Sequence, residues 1–327
     1  MIAYTIRRLM YGVLILLGVN LATFVLFFTV NTPDDMARLN IGGKRVTQEL
    51  IEKWKSERGY DKPLYVNEQR DGLSRYTETI FYDRSVSLFQ LKFGRADGES
   101  AGDIGHEVAT RMWVSIQLAL PIFILQVIAS TAFALLLVMF RHTRLDLWGV
   151  ILCVLMLSIS SLFYIIVGQY LFSRVLKLVP ISGYAAGFDV IRFLILPVLL
   201  SALARLGAEA RLYRAMFLEE ISKDYVRTAR AKGLSETVVM FRHVLRNALI
   251  PIITSAGGYL PYVFMGSLVF ESFFGIPGLG AYVIEAISKQ DFAIVRTMVF
   301  VGSLLYIATY ILIDLAYTWV DPRVRLS

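Results

Sequence analysis

The chain has 327 residues, of which 56% are hydrophobic and only 18% charged. Soluble domains average about 45–50% apolar and about 25% charged residues, so this composition disfavours an ordinary soluble enzyme, and it excludes a disordered chain. The charged residues stand in blocks between long uncharged runs, which is typical of a protein that crosses a membrane several times. The net charge of +7 therefore indicates cytoplasmic loops rather than a nucleic-acid partner.

The first uncharged run is Leu9–Val30, with 22 residues. As a helix it extends roughly 33 Å, enough to cross a hydrocarbon core. It exceeds the apolar part of a signal peptide, and Asn31-Thr32-Pro33 is not a small-residue cleavage site. We therefore predict an uncleaved first span with its N-terminus in the cytoplasm.

Four further uncharged runs predict additional spans. They are Met112–Phe140, Leu147–Phe172, Ala248–Phe270 and Thr297–Ile313, the last continuing as a helix past Asp314 to Val320.

A sixth span is predicted between residues 192 and 211, although the uncharged run between Arg192 and Arg205 has only 12 residues. Such a run is too short to cross alone. The span must continue through Arg205 and Glu209, which lie four residues apart and can pair on one helical face. Alternatively, Arg205 reaches the cytoplasmic headgroups with its long side chain.

These runs predict an all-α membrane protein with six spans and both termini in the cytoplasm. The basic loops, above all residues 211–247, then lie inside, as the positive-inside rule requires. The chain divides into residues 1–30 with the first span, an extracytoplasmic insertion over 31–111, and a core membrane domain over 112–327 that holds the other five spans and the cytoplasmic loop 211–247.

The insertion contains one clear helix, which begins after Thr47, runs to about Arg58 and ends at Gly59. The rest is rich in aromatic residues. Two interpretations stay open: a small domain packed on the outer ends of the spans, or a docking surface for an external partner.

The loop before the fifth span predicts two short helices. Asp224 is expected to cap a helix over Tyr225–Lys232, Gly233 to end it, and Ser235 to cap a second helix that enters the span. Such a short helix needs a partner surface, in the same chain or in another protein. It could lie on anionic lipid. However, its apolar residues are few and small, so a groove in a protein fits better.

The amino-acid sequence of this loop resembles that of a known family. The runs Asp224-Tyr-Val-Arg-Thr-Ala-Arg-Ala-Lys-Gly233 and Arg242-His-Val-Leu-Arg-Asn-Ala-Leu-Ile-Pro251 resemble the "EAA" loop of ABC-importer permeases, and most closely the dipeptide, oligopeptide and nickel permeases of the first-subunit type. Further similar segments are Met1–Leu9, Phe93-Gly94-Arg95, Glu271-Ser-Phe-Phe-Gly-Ile-Pro277-Gly-Leu-Gly280 and the ending Asp321-Pro322-Arg323.

The resemblance implies a bacterial inner-membrane subunit that forms a pathway with a second, different permease subunit. One or two cytoplasmic ATPase subunits bind ATP and Mg²⁺, and an extracytoplasmic solute-binding protein delivers the substrate. The loop helix would insert into an ATPase groove. The expected coupling residues are Asp224, Tyr225, Arg227, Ala229, Arg230 and Gly233. Arg227-Thr228-Ala229 stands where Glu-Ala-Ala is usual, which argues against a glutamate-based contact.

Several residues in and after the fifth span are candidates for the pathway or its gate. Pro251, Gly257, Gly258 and Pro261 weaken the fifth span. Either this span is a pathway helix that bends between states, or its small residues allow close helix packing. Beyond the span, Gly275, Pro277, Gly278 and Gly280 exclude a regular helix. The candidates are Pro251, Gly257, Gly258, Pro261, Glu271, Pro277 and Asp314.

The sequence offers no enzyme chemistry. It has no P-loop and no H-E-x-x-H motif, its three histidines lie far apart, and Cys153 is the only cysteine. We therefore predict no metal, no cofactor in this chain and no enzymatic activity. The alternatives are a membrane enzyme and a peptide-sensing subunit without net transport. Dipeptides, oligopeptides, nickel chelates and peptide antibiotics are not distinguished as substrates.

Overall fold

A computed structural model of the chain describes residues 2–42, 46–98, 102–185 and 187–320. Regular structure in these ranges is helical, and the extended pairing among them is an isolated antiparallel bridge between Arg95 and Asp103. The predicted all-α class is therefore confirmed.

The helices are α1 (Ile2–Val30), α2 (Pro33–Ile41), α3 (Gln48–Arg58), α4 (Ser74–Thr77), α5 (Ile80–Arg84), α6 (Ile104–Met139), α7 (Arg144–Ser158), α8 (Ser161–Gly168), α9 (Val190–Ile221), α10 (Asp224–Ala231), α11 (Glu236–Val238), α12 (Leu245–Gly257), α13 (Leu260–Met265), α14 (Leu268–Phe274), α15 (Leu279–Ser288) and α16 (Phe292–Val320). Two short 3₁₀ segments, Val86–Gln90 and Gly187–Asp189, and two π-helical segments, Gln169–Val175 and Val239–Val244, complete the described helical structure.

Within the described ranges, four helical segments are each long and apolar enough to cross a membrane: Ile6–Val30, Ile104–Met139, Gly187–Ile221 and Phe292–Ile313. Two bent pairs raise the number of candidate spans to six if each pair is one span. The pair Arg144–Ser158 and Ser161–Val175 bends by 91°. The sequence predicted a continuous span there; instead, Ser160 caps a new helix, since its side chain accepts the Leu162 N–H at 3.3 Å.

The chain divides into two compact units, one with residues 1–113 and 278–327, the other with residues 114–277. In the first unit, the insertion packs on α1. Phe24 and Phe28 of α1 share a buried core with Ile51, Trp54 and other residues of the insertion. This contact matches the first of the two interpretations of the insertion.

Helix α3 has the predicted limits. It begins after Thr47, although that side chain makes no capping hydrogen bond, and it ends at Gly59 in the left-handed conformation with φ of 70°. Tyr60, which follows, stacks on Trp54 at 5.4 Å between ring centroids.

A buried carboxylate joins the insertion to the start of α16. Asp97 accepts the Tyr60 hydroxyl at 3.0 Å and the Ala293 N–H at 3.0 Å. Next to it, Asp291 accepts the Gly98 N–H at 2.9 Å. Burial raises the pKa of Tyr60 to about 12, so this phenol stays a hydrogen-bond donor at neutral pH.

In the second unit, α9 is the central element. It packs along α7, where a Cβ at Gly207 would lie only 2.5 Å from the Cys153 carbonyl oxygen. Cys153 is itself fully buried, which fits its interpretation as a packing residue. Arg214 of α9 makes a bidentate contact with Asp146, at 2.9 and 2.8 Å.

Candidate functional site

The loop helix α10 begins one residue earlier than the sequence predicted. Lys223 is the N-cap and Asp224 is the first helical residue, so Asp224 is not the cap. Its carboxylate is 96% exposed and lies 3.6 Å from Arg227. A carboxylate in the first turn still suits the positive end of the helix dipole.

The apolar side of α10 is covered by the chain's own core. Val226 is fully buried and Ala229 is 4% exposed, in one cluster with Phe217 of α9 and Met240. Of the two partner surfaces that the sequence left open, α10 packs on the one in the same chain. Ala229, one of the expected coupling residues, belongs to this core.

Tyr225 is also turned toward α9. Its hydroxyl donates to Glu220 Oε1 at 2.5 Å, and Lys223 Nζ donates to Glu220 Oε2 at 2.5 Å. Burial raises the pKa of Tyr225 to about 12, and the hydrogen bond to Glu220 adds to this shift. These contacts fix the position of α10 relative to the end of α9.

The turn after α10 follows the prediction. Gly233 has φ of 78°, the left-handed conformation that glycine adopts without steric cost. Arg230 spans the turn with a bidentate contact to Glu236, at 3.0 Å from Nε and 2.7 Å from the terminal nitrogen. This hydrogen bonding raises the pKa of Arg230. Arg230 therefore holds the turn together.

The outward side of this loop is mixed in character. Its exposed polar residues on α10 include Arg227 and Thr228. Leu234, Val238 and Phe241 follow at intervals of four and three residues and are 40%, 38% and 52% exposed. Sequence reasoning missed this apolar stripe, although its helical spacing was visible. A surface that combines basic and apolar groups is better suited to contact with a protein than to exposure to water alone.

The predicted weak point of the fifth span is a break in the structure. Helix α12 ends at Gly257, with Gly258 as its C-cap, and α13 begins at Leu260 with Pro261 in its first turn. The helices on the two sides of this break are bent by 43°. Pro251, in contrast, lies inside α12 without ending it.

Beyond the break, Glu271 is a fully buried structural group. It accepts the Ser115 hydroxyl at 2.8 Å and the Ser267 N–H at 3.2 Å. The preceding Gly266 has φ of 75°, and a Cβ there would lie 2.1 Å from Glu271 Oε1. The enclosed Glu271 side chain therefore holds the turn at Gly266 and Ser267.

The segment after Glu271 differs in part from the prediction. Gly275 ends α14 with φ of 63°, and Pro277 lies in the connection to α15. Gly280, which was expected to exclude a helix, is the second residue of α15. Asp314 belongs to α16, but its side chain lies outside the described residues, as does the whole segment Asp321-Pro322-Arg323.

The broken span borders a cavity of about 310 Å³ within the second unit. Arg205 reaches it from α9: its guanidinium lies over the Tyr259 ring at 4.2 Å, and 3.8 Å from Glu209. The predicted Arg205–Glu209 pair is thus confirmed. Residues of α6, α9, α13 and α14 line the cavity, namely Ala119, Ile122, Phe123, Gln126, Ser201, Arg205, Tyr259, Tyr262, Val263, Gly266, Ser267, Leu268 and Phe270.

Comparison with known proteins decides the family. Residues 108–326 match the binding-protein-dependent transport system inner membrane component family, and residues 1–94 match the N-terminal region of such membrane components. The chain belongs to this permease family. It is a multi-pass protein of the bacterial inner membrane and the permease component of an ABC importer.

Individual relatives agree over the full length of the permease. It is 33% identical over 333 residues to a putative peptide transport system permease of Brucella abortus, with 99% of each chain covered. It is 30% identical over 325 residues to the glutathione transport system permease GsiC of Salmonella typhimurium, again with 99% of each covered. The resemblance read from the loop is confirmed, and a membrane enzyme or a sensor is not favoured.

Proposed function

We propose that this permease forms one half of a membrane pathway for peptides, together with a second permease subunit. The full-length similarity to permeases named for peptide and glutathione transport supports this substrate class. Glutathione is itself a small peptide, so the two names agree in chemistry. A solute-binding protein outside the membrane delivers the peptide, and one or two separate ATPase subunits supply the energy.

The proposed topology has six spans with both termini in the cytoplasm. Each bent helix pair then counts as one span, which fits the upper number of candidate spans. The charge distribution supports this orientation, because residues 211–247 carry the largest basic loop. In this topology, residues 31–111 lie outside the cytoplasm and α10 lies inside.

The ATPase contact is proposed for the outward surface of α10 and of the turn after it. Arg227 is exposed there, and Gly233 and the Arg230–Glu236 pair set the shape of the turn. Leu234 and Phe241 provide exposed apolar area beside it. The observation that supports the role of α10 most directly is its rigid attachment to α9 through Val226, because motion of α10 must then move the span.

The gate is proposed at the break between α12 and α13. Gly257, Gly258 and Pro261 leave this region without a continuous helix, and a break of this kind is tolerated where it lines a cavity. Pro251 precedes the proposed gate in the sequence, and Pro277 follows it. Glu271 stabilises the turn at Gly266 by accepting the Ser267 N–H.

The test is uptake of a radiolabelled dipeptide into proteoliposomes that contain both permeases, the ATPases and the binding protein. ATP-dependent accumulation is expected. A transporter lacking the ATPases provides the control, because facilitated leakage would persist in it. If the complete complex hydrolyses ATP but accumulates no peptide, the peptide assignment is wrong.

A further inference from the structure

Arg205 is a charged residue in the middle of a helix that is apolar enough to cross the membrane. Charges in such positions are costly and commonly mark a substrate path. Its side chain is 44% exposed, so the charge is accessible, and it faces the cavity beside the broken span.

Part of the Arg205 guanidinium remains accessible to a ligand, since the side chain is 44% exposed, while another part hydrogen-bonds the Tyr259 side chain. The guanidinium lies over the Tyr259 ring at 4.2 Å, and a guanidinium stacked in this way keeps its N–H donors in its own plane. Glu209 lies 3.8 Å away, which is longer than a hydrogen bond. The acidic neighbour thus balances the charge without a close bidentate contact.

Two buried polar side chains line the same cavity. Ser201 is 4% exposed and Gln126 is 8% exposed. Among the described residues, Ser201 Oγ has no hydrogen-bond partner. A buried hydroxyl without a partner is energetically costly, so its placement beside Arg205 points to a polar ligand.

The remaining walls are aromatic and apolar, with Phe123, Tyr262 and Phe270 among them. A volume of about 310 Å³ lies at the lower end for ligand pockets, about 300–1,000 Å³. The cavity therefore suits one end of a peptide: a terminal carboxylate beside a single side chain.

We infer that the cavity binds the C-terminal carboxylate of the transported peptide through Arg205, with Ser201 as a second donor and the aromatic walls around the last side chain. This inference rests on the proposed function and assigns one part of the peptide to one part of the permease. Arginine suits this role because its planar fork matches the geometry of a carboxylate.

The experiment compares a peptide acid with its C-terminal amide in the reconstituted complete transporter. The binding protein is loaded to saturation with each form, so that its own selectivity does not set the rate. The wild-type transporter is expected to import the acid about tenfold faster, which corresponds to about 1.4 kcal/mol. Arg205→Gln should abolish this preference, and Arg205→Lys should retain part of it.

Arg192→Gln is the matched control, since Arg192 is exposed on the same helix and does not line this cavity. It should keep the wild-type acid-to-amide ratio. If Arg205→Gln slows both forms equally, Arg205 is only structural and the inference is overturned.

An anionic lipid offers a phosphate of similar chemistry, so vesicles with and without phosphatidylglycerol are compared. An effect of Arg205→Gln that requires this lipid and ignores the peptide terminus would overturn the inference in favour of lipid. Absence of peptide uptake by the wild type would overturn the proposed function as well, whereas uptake with an unchanged ratio in Arg205→Gln would overturn the inference alone.

Discussion

Gly266→Ala is expected to destabilise the permease strongly, and the structure allows the cost to be divided. Gly266 has φ of 75° and ψ of −179°, a backbone conformation essentially restricted to glycine, and a side chain there costs about 1–3 kcal/mol. In addition, the new Cβ would lie 2.1 Å from Glu271 Oε1 and 2.7 Å from Ser115 Oγ. The buried Glu271 side chain must move away, and each buried polar atom that loses its hydrogen bond costs about 1–3 kcal/mol.

Gly42→Ala separates these two costs. Gly42 has a closely similar backbone conformation, with φ of 64° and ψ of 164°, but a Cβ there meets nothing within 4 Å. We expect Gly42→Ala to show only the backbone cost, about 1–3 kcal/mol, and Gly266→Ala to exceed it by the loss of at least one buried hydrogen bond, about 1–3 kcal/mol.

The assay is thermal unfolding of the purified permease in detergent, followed by the loss of the monodisperse peak in size-exclusion chromatography. Glu271→Ala is combined with Gly266→Ala to form a double-mutant cycle, because removal of the carboxylate removes the clash. The double variant should lose less stability than the sum of the two single variants. Equal melting temperatures for Gly266→Ala and Gly42→Ala, or additive losses in the cycle, would refute the role of the Glu271 side chain.

The remaining predictions concern the loop between the fourth and fifth spans. Gly233→Val should reduce copurification of the ATPase or uncouple hydrolysis from uptake, because a β-branched residue resists a φ of 78°; normal coupled uptake would contradict this. Arg230→Glu should have a similar effect by breaking the bidentate contact to Glu236, and the charge swap with Glu236→Arg should restore copurification, whereas a direct ATPase contact of Arg230 would not be rescued. Arg227→Glu should weaken ATPase copurification without changing the melting temperature of the permease alone, since its side chain is 75% exposed; an unchanged yield of complex would exclude Arg227 from the interface. The pKa of Tyr225 is raised to about 12 from 10.0, so its stabilising contribution is complete below pH 10 and is lost as the pH rises toward 12; a melting curve against pH should show a smaller loss in Tyr225→Phe than in the wild type, the remainder coming from groups such as Tyr60, whose pKa is also raised to about 12, and an equal loss in both would refute the assignment.

Helix ends were predictable where a single residue type decides the backbone conformation. Gly59 and Gly233 both end helices at the expected positions with positive φ, because glycine has no Cβ to oppose that conformation. The break after Gly257 was predictable for a related reason, since glycine and proline weaken a helix regardless of its neighbours.

Burial was less predictable, because it depends on residues that are distant in the sequence. Ala229 could not be assigned to the core without the position of Phe217. The burial of Glu271 depends on its contact with Ser115, 156 residues away, which no local sequence pattern indicates. The 91° bend at Ser160 was not predicted either, since the surrounding run is uniformly apolar and a single serine is a weak indication of a new helix start.

Helix α9 joins the cavity to the loop without a proline between Arg205 and Ile221. At 1.5 Å per residue, this segment is a rigid arm about 24 Å long. A tilt of only about 5° at its cytoplasmic end displaces the guanidinium by about 2 Å, because the arm does not bend. A displacement of that size decides whether a carboxylate stays within hydrogen-bond distance. In the proposed mechanism, the length of one uninterrupted helix couples a small rotation at the ATPase to the release of the peptide.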